Sequence, residues 1–291
     1  FVTHHKHLRE FCQGLVFIRK KGYDSTRYGE PLWLRGNNRF RPDEPDVGNA
    51  NVGRMQHSCT KRVRLFPARP FFVLPFLEVL FMKVLPQQLR LYAVTDRTWL
   101  NGRRLADVVA QAIDGGATFV QLREKCLDEH DLLAEAEELS ALCHFRHVPF
   151  VIDDNVEVAL AAGADGVHVG QSDMAAKRAR ALLGPDKILG VSAHNAAEAL
   201  AAQADGADYL GCGAAFVTGT KLDAHPVTAE TMRAVTAAVN IPVVAIGGID
   251  AANLLQLQGR GLAGVAVVRA IFAQADPCAA SRELYRLAGQ L

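Results

Sequence analysis

The sequence predicts an α/β chain, a (β/α)8 TIM barrel over residues 82–291, preceded by an irregular extension of low order over residues 1–81. Three observations carry this. From residue 89 onward, short apolar or β-branched runs alternate with amphipathic segments rich in Ala, Leu and Glu. The runs are almost continuously apolar, as expected of parallel strands covered on both faces. Eight of them fit in about 200 residues, the size of a closed barrel. An open doubly wound sheet usually carries a Gly-rich turn after its first strand. Here that strand ends Val94-Thr95-Asp96-Arg97 instead.

In chain order the predicted strands are Leu89–Thr95, Ala117–Arg123, Val148–Asp153, Gly166–Gly170, Ile188–Ala193, Ala207–Gly213, Ile241–Gly247 and Gly264–Ala270. Helical periodicity lies between them, over Arg104–Asp114, His130–Leu142, Ala196–Ala204, Ala229–Val239 and Ala251–Gln258. A helix also starts near Val156, and a last one covers about Pro277–Leu287.

The composition changes at Met82. Residues 1–81 hold 14 Lys and Arg against 7 Asp and Glu, two alanines (Ala50, Ala68) and nine of the 14 phenylalanines. The remainder is acidic, with 18 basic and 24 acidic residues, so the overall charge of +1 hides a split. Residues 1–81 show little periodicity and a Pro-rich polar stretch, Arg41-Pro42-Asp43-Glu44-Pro45-Asp46. Three readings stay open: a disordered basic arm, a remnant of an upstream domain, or sequence outside the working protein. A compact barrel starts naturally at Met82-Lys83, and that start is favoured.

Arg62 and Arg64 among apolar residues are too sparse for a nucleic-acid surface. The apolar run Phe71–Met82 is broken by Pro75 and Glu78 and is too short to span a bilayer. It follows Lys61-Arg62-Val63-Arg64 like a signal segment, but no small-residue cleavage site comes after it. The six cysteines have no CxxC spacing, so reduced thiols and a cytoplasmic location are expected.

Barrel chemistry is expected at the C-terminal ends of the strands. The second strand ends Gln121-Leu122-Arg123-Glu124-Lys125. Alternate strand residues share a side, so Gln121, Arg123 and Lys125 converge, while Leu122 and Glu124 point the other way toward the barrel wall. Taken alone, the segment reads equally well as a strand running into solvent. The third strand ends Asp153-Asp154-Asn155 and the fourth His168-Val169-Gly170-Gln171-Ser172-Asp173. Asp154 and Asp173 on neighbouring strands, beside cations, suit Mg²⁺ shared with a phosphate. The plain alternative is that Asp154 caps the helix near Val156, although this leaves Asp173 unexplained.

His168 lies in an apolar strand and is expected to be a hydrogen-bonded core residue. Ser192 points to the mouth at the end of the fifth strand, and His194 follows it. After the sixth strand, Thr218-Gly219-Thr220-Lys221 offers hydroxyls, free backbone and one cation to a phosphate. The seventh strand ends Gly247-Gly248 and the eighth Val268-Arg269, where barrels commonly hold phosphate. Two anion sites at one mouth imply two phosphorylated substrates.

Gln-Leu-Arg-Glu-Lys, Asp-Asp, His-Val-Gly-Gln-Ser-Asp, Gly-Val-Ser-Ala-His, Thr-Gly-Thr-Lys and Ile-Gly-Gly-Ile occur in this order. Over residues 85–291 the chain resembles the thiamine-phosphate synthase family. The resemblance implies condensation of 4-amino-2-methyl-5-(diphosphooxymethyl)pyrimidine with a thiazole phosphate, giving thiamine phosphate and pyrophosphate in thiamine biosynthesis. It also implies an Mg²⁺-dependent dissociative transfer.

By position, the pentapeptide Gln121, Leu122, Arg123, Glu124 and Lys125 would contribute to substrate binding together with Asp153, Ser192 and Lys221. Arg123, Lys125, Ser192 and Lys221 would be catalytic, on the pyrimidine diphosphate. Thr218, Thr220, Gly248, Val268 and Arg269 would hold the thiazole phosphate, Gly219 between the two threonines would contribute to substrate binding, and Asp154 and Asp173 would bind the metal. Two positions depart from the family pattern, which often has Asn at 153 and Ser at 269. An ionised Asp153 only accepts hydrogen bonds, which turns its contact toward the pyrimidine amino group.

Two other readings compete. A related thiazole tautomerase makes no bond and needs neither the acidic pair nor a diphosphate cradle. A non-catalytic binding barrel would have lost the acidic pair, which is present here. The oligomeric state is left undefined by the sequence.

Overall fold

The computed structural model describes residues 82–171, 174–217 and 226–291. The expectations for residues 1–81 lie outside it. Eight parallel strands close into a ring in chain order: β1 (Leu91–Val94), β2 (Phe119–Leu122), β3 (Phe150–Asp153), β4 (Gly166–Val169), β5 (Ile188–Ala193), β6 (Tyr209–Gly213), β7 (Val243–Ile246) and β8 (Gly264–Val267). β8 pairs back on β1 with Tyr92 opposite Ala266. All eight predicted strands are present. β5 has its expected bounds, and most of the others are two or three residues shorter, chiefly at their starts, where the apolar run begins before the ladder does.

The connecting helices are α1 (Leu105–Asp114), α2 (Glu129–Phe145), α3 (Val156–Ala161), α4 (Ala176–Leu183), α5 (Ala196–Ala204), α6 (Ala229–Ala238), α7 (Arg269–Phe272) and α8 (Pro277–Ala288). Asp128, Asn155, Asn195, Thr228 and Asp276 cap five of them with side-chain oxygens on backbone N–H groups.

Two predicted elements are corrected. Ala251–Gln258 forms only a short 3-10 turn at Leu254–Leu257. Asp250 accepts from the backbone of Ala252 and Asn253, and Asn253 accepts from that of Asp250. These local bonds compete with helix formation. The eighth strand stops at Val267, and Arg269, expected at a strand end, begins α7.

Strand alternation divides the core. Outward residues such as Leu91, Val120, Ile152 and Val265 pack with helix residues Val108, Leu139, Met232 and Leu284. Inward residues Tyr92, Phe119, Val151, Tyr209, Val244 and Ala266 fill the barrel, joined by Val84 and Leu89. Tyr92, Phe119 and Tyr209 meet edge to face, with ring centroids 4.6–5.9 Å apart. Above this apolar filling the inward residues turn polar, and these positions define the mouth.

Candidate active site

β2 hands its two cations to the mouth through a fixed exit. The buried Thr95 accepts from Arg123 N–H at 2.9 Å and donates back to Arg123 C=O at 3.4 Å. Alternation then carries Arg123 and Lys125 to the interior side. On the next strand Asp153 points inward by the same rule. Asp154 takes φ of +60°, a left-handed conformation that Asp tolerates better than most residues. Its N–H donates to His168 C=O at 2.8 Å. The kink brings two successive carboxylates to one cation. Lys125 Nζ lies 3.1 Å from Asp153 and 2.6 Å from Asp154, and Arg123 lies 3.5 Å from Asp153.

Asp154 therefore does not cap α3. Asn155 does so, accepting from Val158 N–H at 2.9 Å. Burial and the neighbouring Asp154 charge push the Asp153 carboxyl above the usual range, opposed by Lys125 and Arg123. For Lys125, burial works downward, but the hydrogen bond to Asp154 and the charge of Asp153 outweigh it and the ammonium is held above its ordinary value.

Gln121 sits below the two cations, buried, and donates from Nε2 to Tyr92 Oη at 2.8 Å. The side chains of Leu122 and Glu124 point away from the mouth, as strand alternation predicts. Leu122 is fully buried in the layer beneath the helices. Glu124 turns to Arg97 at 3.3 Å, and Arg97 also holds Glu135. Neither faces the mouth.

His168 is buried in the interior, 3.1 Å from both Tyr209 Oη and Ser192 Oγ. Ser192 is half-buried at the end of β5, and Gln171 donates to its carbonyl at 2.6 Å. His194 is spent on the start of α5, where ring and backbone both meet Glu198. Tyr92 and Tyr209 were not singled out from sequence. Their signal was a phenol at an inward position of an otherwise apolar strand.

At the far side of the mouth, Gly248 has φ of +66°, and a Cβ there would lie 2.7 Å from Val217 C=O. Only glycine lets the β7 exit pack this closely on the segment after β6, where Phe216 N–H donates to Gly247 C=O. Val268 stands at the start of α7, and the Arg269 guanidinium lies 5.6 Å from the Trp99 ring centroid, toward the β1 exit. Asp173, Thr218, Gly219, Thr220 and Lys221 lie outside the described residues.

Fold and site together define a (β/α)8 barrel of the enzyme type, with cations and carboxylates crowded at the C-terminal ends of adjacent strands, where barrel enzymes place their chemistry. A profile of the thiamine monophosphate synthase family matches residues 91–271. The chain belongs to that family. It is 47% identical over 197 residues to a thiamine-phosphate synthase of Ruminiclostridium cellulolyticum, covering 68% of this chain and 94% of the relative. It is 50% identical over 199 residues to one of Chloroflexus aurantiacus, covering 68% and 92%. Among solved structures, thiamine phosphate pyrophosphorylase from Pyrococcus furiosus superimposes with a TM-score of 0.66 at 36% identity, over 71% of this chain and 98% of that one.

Proposed function

We infer that the chain joins an aminopyrimidine diphosphate to a thiazole phosphate, forming thiamine phosphate and releasing pyrophosphate, as a step of thiamine biosynthesis. The observation that carries this for the family member in hand is the cluster of Arg123, Lys125, Asp153 and Asp154 at the mouth. The pyrimidine methylene–oxygen bond breaks, and its electron pair leaves with pyrophosphate. The thiazole nitrogen then donates its lone pair to the pyrimidine cation. Charge develops on the leaving diphosphate, so fixed cations placed there lower the barrier more than groups recruited from solvent would.

Lys125 and Arg123 fit this role, held in place by Asp153 and Asp154 until a diphosphate arrives. Gln121 and Ser192 bound the pyrimidine, and the ionised Asp153 accepts from its amino group. Lys221 completes the diphosphate contact. Thr218, Gly219, Thr220, Gly248, Val268 and Arg269 receive the thiazole phosphate.

The donor chemistry at Asp154 fits Mg²⁺, being a hard carboxylate oxygen beside a second carboxylate and a phosphate-directed cation. Asp154 and Asp173 would hold the ion, which when bound neutralises diphosphate oxygens.

Pyrophosphate release is the measurement. Release with both substrates and Mg²⁺, and none with either substrate alone or with excess EDTA, is the expected result. Full release in EDTA would remove the metal from the reading, and none under any condition would remove the reaction. Asp173→Ala is expected to fold normally and lose metal-dependent turnover, by about 100-fold or more in kcat. A variant with turnover near the parent's at low Mg²⁺ would dismiss Asp173 as a ligand.

A further inference from the structure

Five polar side chains from five strands form one continuous hydrogen-bonded chain through the barrel interior. Gln121 (β2) meets Tyr92 (β1) at 2.8 Å, Tyr92 meets Tyr209 (β6) at 2.8 Å, and Tyr209 meets His168 (β4) at 3.1 Å. His168 meets Ser192 (β5) at 3.1 Å. Its two ends are the residues read above as bounding the pyrimidine, and its middle is sealed from solvent. Tyr92, Tyr209, Gln121 and His168 are exposed by no more than 9%.

Space for this chain is built into the strands. A Cβ on Gly190 would come within 2.4 Å of Tyr209 Oη and 2.5 Å of His168 Nδ1. A Cβ on Gly211 would lie 3.3 Å from His168 Cε1. Glycine within a strand marks such close approaches. Burial holds both phenols far above their ordinary pKa, so each keeps its proton and always has one to donate.

Counting protons then gives the chain a direction. Gln121 Nε2–H donates to Tyr92 Oη, so the Tyr92 proton goes to Tyr209. Having accepted, Tyr209 donates to His168 Nδ1. A ring nitrogen that accepts leaves the neutral imidazole proton on Nε2. Nε2–H donates to Ser192 Oγ, and the serine proton is left for the mouth. The reverse direction would set the Gln121 amide N–H₂ against a Tyr92 proton.

We propose that Tyr92, Tyr209 and His168 are positioning residues that fix what the two ends offer a substrate, a carbonyl acceptor from Gln121 and a hydroxyl donor from Ser192. The ligand matched by that pair carries a donor and an acceptor on opposite sides of one ring, as an aminopyrimidine does. The assignment rests on the proposed reading of Gln121 and Ser192 as pyrimidine contacts.

Two measurements on the full chain test it. Nitrogen NMR of ¹⁵N-histidine protein, with His168 assigned by loss of its signal in His168→Gln, reports the tautomer without any substrate. The neutral Nε2–H form is expected in the parent, and a shift toward the Nδ1–H form in Tyr209→Phe. An Nδ1–H parent, or an unchanged tautomer in Tyr209→Phe, overturns the proposal.

Steady-state kinetics supply the second readout. Tyr209→Phe is expected to raise KM for the pyrimidine diphosphate about tenfold, the effect of one misdirected buried hydrogen bond, with KM for the thiazole phosphate unchanged. Tyr92→Phe, which cuts the chain one bond earlier, is expected to raise the same KM while leaving the His168 tautomer as in the parent. It serves alone if Tyr209→Phe does not fold. A fall in kcat with both KM values unchanged would mean only fewer folded molecules and would also overturn the proposal. A parent that releases no pyrophosphate would refute the proposed reaction, and the tautomer would still decide the chain.

Discussion

Lys125 is the residue on which the mouth turns. It neutralises two carboxylates that would otherwise face each other, and it is half in solvent; in the proposed reaction it exchanges them for the diphosphate. Lys125→Ala is therefore expected to lower kcat for pyrophosphate release by about 100-fold, the scale seen when one pre-placed charge donor is removed. A kcat within a few-fold of the parent would contradict its role. Its neighbour Glu124 has a different character. Burial raises its carboxyl above the ordinary glutamate value, although Arg97 pulls it down, and Oε1 is buried without a hydrogen-bond partner among the described residues. A raised folded pKa means that the contribution to stability is full below the unfolded pKa and is lost as pH rises through the folded one. Glu124→Gln, permanently neutral, is expected to melt above the parent at pH 7, with the gap closing below about pH 4. Melting curves at the two pH values check this, and a lower melting point at pH 7 would contradict it. At this scale the sequence was legible where period two applies. Gln121, Arg123 and Lys125 fell on the predicted side, and so did Leu122 and Glu124 when read as wall. The left-handed turn at Asp154 and the tyrosine pair were not legible, because each depends on which neighbour fills the adjacent space.

Among elements, the link from β3 to α3 does most to place the site. Asp153 ends the strand, Asp154 makes the turn and Asn155 caps the helix, so three consecutive side chains have three different duties. Asn155→Ala removes the cap and is expected to cost about 1 kcal/mol. For a unit of this size that is a fall of roughly 2–4 °C in Tm. Calorimetry would show it, and an unchanged Tm would mean that tertiary packing alone holds α3. Sequence periodicity gave the long helices to within a few residues, because capping residues and apolar stripes coincide there. It failed at 251–258, where Asp250 and Asn253 bond to local backbone. It also failed at the end of β8, where a continuous apolar run passes from strand to helix with no punctuation. β5 holds the clearest element-scale surprise. Gly190 looks like a weak point in a strand, yet it is the gap into which Tyr209 and His168 fit.

For the whole molecule, the eight-strand count and the absence of a Gly-rich first turn were enough to choose the closed ring over the open sheet. The ring closes through β1 and β8. No helix among the described residues is long and apolar enough to cross a membrane. All eight strands and the helices packed on them lie between Leu91 and Ala288. A fragment of residues 82–291 is expected to unfold cooperatively and to release pyrophosphate at the parent's rate. Inactivity of the fragment beside an active full chain would assign residues 1–81 a part in the working protein. The closed ring also governs self-association. An open sheet ends in strands whose free N–H and C=O groups can recruit another chain. Here every strand has a neighbour on both sides, so the native barrel offers no such template. On heating, β-rich aggregates should form only as fast as the ring itself opens, and ligands bound at the mouth should slow aggregation and unfolding by the same factor.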